Sequence, residues 1–205
     1  MDTVGSESSV YMMKFGAHIP LTGRPFFHDP RKFPKLEDWQ LAAALEIIYK
    51  LVGKVLGPFP GSTRLCPITG HPLVFYPSFV VPKTKLGSFR WVMNASFNRD
   101  GPCVNDLISD YTTSLIDFKT SLYPGVRTQF MSRIDLKQAF KQLFRNISQM
   151  YLLATVVDEF VFIDATMSMG LRNTAKLFEE EFMKAFVRGL VHHHPELFTD
   201  EFGLS

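Results

Sequence analysis

Two pairs of short extended segments narrow the fold more than anything else in this sequence. Residues 78–83 (SFVVPK) and 89–93 (FRWVM) flank the polar stretch TKLGS, and residues 151–157 and 160–163 flank Asp158 and Glu159. β-Branched and aromatic residues favour strands and polar breaks favour turns, so each pair reads as an antiparallel hairpin. Two helical patterns accompany them. Between residues 36 and 56, Leu41, Leu45, Ile48, Val52 and Val55 recur at steps of 3 and 4, while Glu46, Lys50 and Lys54 occupy another face. Glu46 stands four residues before Lys50, the favourable order for a helical ion pair. Gly57 and Pro58 are expected to end this helix and open a Pro/Gly-rich loop that runs to Pro72. A late helix is expected from about 173 to 190, with Phe178, Phe182, Ala185 and Phe186 on one face. Hairpins and helices without regular strand–helix–strand alternation predict an α+β fold.

Composition excludes several classes. With 205 residues, 46% of them hydrophobic, and a net charge of +2, the chain has enough apolar material for a core and is not of a disordered type. No apolar run approaches the roughly 18 to 20 residues that span a bilayer. The first residues lack a basic start followed by an apolar stretch, so an intracellular protein, cytoplasmic or nuclear and not secreted, is expected. Cys66 and Cys103 are too few for a disulfide framework or a cysteine-based zinc site. Pro20, Pro25, Pro30 and Pro34 predict an irregular segment over residues 1–35.

The charge is unevenly spread. Residues 1–100 carry 12 Lys and Arg against 7 Asp and Glu, and residues 101–205 carry 10 against 13. A basic front and an acidic back suit a polyanion-contacting part joined to a carboxylate-bearing part, or else ordinary solvated surface charge. Asp135 follows the apolar segment FMSRI and precedes the amphipathic LKQAFKQLF, so it either caps a helix or presents a carboxylate at a strand end. His192, His193 and His194 are consecutive, and neighbours on a helix point about 100° apart. They therefore read as a polar helix end, favoured by the C-terminal dipole, rather than a metal site.

The order of motifs carries a resemblance. RIDLKQAF, a hairpin, and then MSMGLRNTAKLF resemble the palm of a reverse transcriptase. GPFP, SFVVPK, FRWVMNAS and the VND of GPCVNDLI precede them in matching order and are most similar to reverse transcriptases of tyrosine-recombinase (DIRS-type) retroelements. Each motif is short, and their colinearity from about residue 36 to 202 is what makes the resemblance. It implies a fingers-and-palm architecture without a thumb: mainly fingers-like over 36–128, palm-like over 129–205, with a fingers-like hairpin at about 151–163.

The implied activity is template-directed transfer of deoxynucleotides to a primer 3′-hydroxyl, with an RNA or DNA template-primer and dNTPs as partners. Two divalent ions, Mg²⁺ or Mn²⁺, would be held by the oxygen ligands Asp135, Asp200 and Glu201. Asp200 lies 30 residues past Gly170, inside FTDEF, which is either a degenerate form of the family's aromatic-x-Asp-Asp box or an ordinary acidic turn. The resemblance assigns Lys83 and Arg90 to the nucleotide triphosphate, as a flexible ammonium and a forked guanidinium suited to a polyanion. It places Phe140 under the sugar, although a core role in an amphipathic segment is equally open. Met169 and Gly170 fall in the turn beside the base pair, and Arg172 and Lys176 face template or primer phosphates.

Departures from the family pattern are expected to weaken catalysis. Glu201 stands where an Asp is usual, Asn94 replaces an Asp, Ser168 and Met169 replace a Pro and an aromatic, and Ala175 replaces a Pro. An extra methylene at Glu201 moves a carboxylate by about an ångström, enough to cost roughly a hundredfold in rate. The polymerase is therefore expected to be weak or inactive as this chain alone. The alternative is a non-catalytic nucleic-acid- or protein-binding domain of the same descent.

Overall fold

A computed structural model of the chain describes residues 7–109 and 138–193. Asp135, Asp200 and Glu201, the three carboxylates expected to hold metal, lie outside the described residues. The elements run α1 (Glu7–Phe15), α2 (Asp38–Tyr49), β1 (Val55–Pro60), β2 (Ser78–Pro82), β3 (Phe89–Met93), β4 (Ala154–Val157) and β5 (Phe160–Asp164). A helical region closes the described chain, built of α3 (Thr174–Lys176), a π-helical stretch (Leu177–Met183) and α4 (Lys184–His193). The fold is α+β with two small antiparallel sheets, one ordered β1-β5-β4 and the other the hairpin β2-β3.

Both expected hairpins form, but the first strand of the second starts at Ala154 and not Tyr151, because Ile147–Leu152 is a 3-10 turn. In the first, Val80 pairs with Trp91 and Val81 with Arg90. In the second, Val157 pairs with Phe160 across the turn at Asp158 and Glu159. β5 is the central strand of its sheet, and its residues alternate between two cores as the pleat requires. Phe162 joins the cluster of Ala44, Ile48, Leu51, Trp91, Met93, Leu152 and Met167. Val161 and Ile163 join Cys66, Leu73, Phe75, Met150 and Ala165 on the opposite side. A strand buried on both faces explains why residues 160–163 read as a continuous apolar run.

Three expectations change. The first helix ends at Tyr49, not Leu56: Gly53 adopts φ +73°, and Val52 is 85% exposed instead of joining the apolar stripe. The Glu46–Lys50 ion pair does form, but both side chains are exposed, so it adds little to stability. The GPFP motif lies in β1 and not in a loop. Pro58 and Pro60 are tolerated because β1 is an edge strand with a register irregularity between Leu56 and Phe59, so the missing N–H groups break no ladder on a second side. Among its described residues, the amphipathic stretch after Asp135 makes a 3-10 turn, Ala139–Gln142, entered through Gln138 at φ 53°.

The N-terminal segment is irregular after its prolines begin, but α1 precedes Pro20 and is untouched by them. The extended chain beyond α1 is stitched to the body. Ile19 N–H donates to Gln149 Oε1 at 2.7 Å, and Gln149 Nε2 returns a bond to Ile19 O at 2.8 Å.

His28 packs against the rings of Phe26, Phe97 and Tyr76 at centroid distances of 5.1, 5.0 and 5.9 Å. Burial pushes the imidazole below its ordinary value of 6.5, against the attraction of Asp100. An unfolded chain therefore binds a proton that the folded one refuses as pH falls below 6.5. Stability is expected to be full above that pH and to decline below it. His28→Phe should flatten this part of a pH series of urea midpoints, and a slope that survives the substitution would remove His28 as its source.

No helix among the described residues is long and apolar enough to cross a membrane.

Candidate functional site

The β2–β3 register places Arg90 opposite Val81 and Lys83 opposite Ser88, whose carbonyl accepts the Lys83 N–H at 2.8 Å. Residues at i and j+2 on one face of a hairpin are diagonal neighbours, so Lys83 and Arg90 project from the same side. Their partners on the other face, Val80 and Trp91, enter the core. Both cations are exposed.

A cavity of about 320 Å³ runs along β3, all five of whose residues line it. Across from the strand stand Phe140 and Lys141 of the 3-10 turn, Asp164 at the end of β5, and Met167 to Met169 of the following loop. Lys83, Arg90, Phe140 and Met169, distant in sequence, thus meet around one space. Phe140 is half-buried and also meets Phe178 edge-on at 5.6 Å, with Phe178 stacked on Phe182 at 5.2 Å. The ring thus packs on the late helical region, as the core reading expects, and it also lines the cavity.

Gly170 fixes how closely the loop approaches the strand. A Cβ there would fall 2.3 Å from the carbonyl oxygen of Met93, closer than any side chain allows. Asn105, the middle residue of VND, holds this loop in place. Its Nδ2 donates to Gly170 O and to Ser96 Oγ, each at 2.7 Å, and its Oδ1 accepts from Arg172 N–H at 2.9 Å. The motif is visible in the sequence, but the clamp across 65 residues emerges only from the fold. Asp106 accepts from Cys103 N–H at 3.0 Å, and that bond holds its carboxyl below the usual range.

Sequence reasoning missed Lys141 and Asp164. Asp164 is 1% exposed, with Oδ1 accepting from Thr166 N–H at 3.1 Å and from Thr166 Oγ1 at 2.8 Å. Its Oδ2 accepts from Lys141 Nζ, which also lies 5.6 Å from the centre of the Trp91 ring. The available signal was a lone carboxylate ending an apolar strand, the feature that drew attention to Asp135. Arg172 is exposed and Lys176 half-buried at the start of the late helical region, outside the cavity lining.

Among the described residues no three His, Cys, Asp or Glu side chains come together to hold a metal ion. His192 and His193 lie exposed in the last turn of α4, with rings 5.0 Å apart. No protein-family model matches the sequence, and no curated protein matches it.

Proposed function

We propose that the chain is a fingers-and-palm portion of a retroelement RNA-directed DNA polymerase whose cavity along β3 receives an incoming deoxynucleotide. The observation that carries this reading is the convergence of Lys83, Arg90, Phe140 and Met169 on one cavity beside Gly170. Lys83 and Arg90 supply an ammonium and a guanidinium to the triphosphate. Phe140 offers a flat ring to the sugar, where a 2′-hydroxyl would collide. The loop from Met167 to Gly170, clamped by Asn105, lies against the base pair, and Arg172 and Lys176 serve template or primer phosphates.

The donor set Asp135, Asp200 and Glu201 is all carboxylate, which suits the hard ions Mg²⁺ or Mn²⁺. When bound, two such ions activate the primer 3′-hydroxyl and stabilise the departing pyrophosphate. What the described residues do is hold the nucleotide, exclude sugars that carry a 2′-hydroxyl and fix the loop distance.

Primer extension on an RNA template with Mg²⁺ or Mn²⁺ tests the catalytic half of this reading. Any extension by the full chain is expected to vanish with Asp135→Ala, and extension that survives would overturn the metal assignment. The non-catalytic alternative predicts salt-sensitive binding of primer–template without extension.

A further inference from the structure

A carboxylate as buried as Asp164 requires compensation by charge and hydrogen bonds. It receives more than one counter-charge. Lys141 bonds to Oδ2, and the guanidinium of Arg145, fully enclosed, makes no hydrogen bond through Nε, Nη1 or Nη2 among the described residues. Burial lowers Arg145 to about 10 and the charge of Asp164 opposes that shift, so Arg145 stays cationic at neutral pH. One carboxylate thus answers to two cations.

Lys141 is the cation of this trio that lines the cavity. Its side chain keeps 17% exposure and lines the cavity, and its ammonium has three donors of which Asp164 Oδ2 takes one. Among the described residues, the cavity lining brings Lys83, Arg90 and Lys141 together with one carboxylate, Asp164, whose charge also acts on Arg145. The described lining therefore carries three cations against one carboxylate.

We propose that Lys141 is a third phosphate-binding residue of the cavity, which takes the polyphosphate chain of a nucleoside triphosphate between the β2–β3 hairpin and the turn at 138–141. Asp164 parks and orients the ammonium in the free protein. This rests on the nucleotide reading above and adds a residue that the sequence motifs do not assign.

The test is made on the full chain with inorganic tripolyphosphate and with a dNTP, by titration calorimetry and by lysine acetylation read out by mass spectrometry. Lys141→Met is expected to weaken both ligands about tenfold or more, with Lys141→Arg restoring most of the loss. Acetylation needs no variant: tripolyphosphate should protect Lys141 together with Lys83 in the wild-type chain. Protection of Lys83 with Lys141 unaffected would overturn the assignment of Lys141 and leave the nucleotide site standing. Absence of binding and of protection at both lysines would overturn the nucleotide reading itself, and this inference with it.

Discussion

Asp164→Ala is expected to destabilise the protein by about 3–5 kcal/mol, measured as a shift in urea unfolding free energy. The loss comes from what remains behind. Thr166 loses the acceptor for both its N–H and its hydroxyl. Lys141 loses its carboxylate partner, and the enclosed Arg145 loses the favourable charge of Asp164. Removing one member of a buried pair costs more than removing both, because an uncompensated buried charge is the expensive species. Asp164→Ala combined with Lys141→Met should therefore recover part of the loss, although Arg145 keeps the double variant below wild type. An Asp164→Ala protein within about 1 kcal/mol of wild type would mean that the site is not buried as described.

Gly170→Ala is the second large effect. The added methyl would meet the Met93 carbonyl oxygen at 2.3 Å, and that oxygen already accepts from Ala95 N–H at 3.2 Å, so it cannot swing aside cheaply. The loop must retreat from β3, which strains both Asn105 contacts and widens the cavity. A destabilisation of about 1–3 kcal/mol is expected, with weaker nucleotide binding alongside. Gly189, on α4, supplies the contrast. Nothing lies within 4 Å of the position its Cβ would take, so Gly189→Ala should stabilise by up to about 1 kcal/mol. Equal effects at the two glycines would contradict the close approach at Gly170.

The parts of the fold legible in the sequence are those governed by short-range patterning. Residues 78–93 declare their hairpin because the β-branched and aromatic runs and the polar turn are contiguous. The helix end at Tyr49 was hidden because Val52 and Val55 continue the apolar spacing, while the Gly53 turn sends Val52 outward and Val55 into β1. GPFP looked like a loop because proline usually excludes strands, and only pairing to β5 on one side makes it an edge. At the candidate site, Lys83 and Arg90 were singled out by the family resemblance on a hairpin legible from local patterning. The Lys141–Asp164 pair was not, since its members lie 23 residues apart and meet through packing on neither element's own periodicity.

The account stands or falls on whether the cavity along β3 takes a nucleotide through its two exposed hairpin cations. The most direct measurement is the equilibrium affinity of a fluorescent dNTP for the full chain and for the Lys83→Ala, Arg90→Ala double variant. Both side chains are exposed, so the urea midpoint should not move. The account predicts saturable binding by wild type and at least about a tenfold loss in the double variant, steeper at low salt. Equal affinity in the two proteins, or no binding by the wild type, would contradict it.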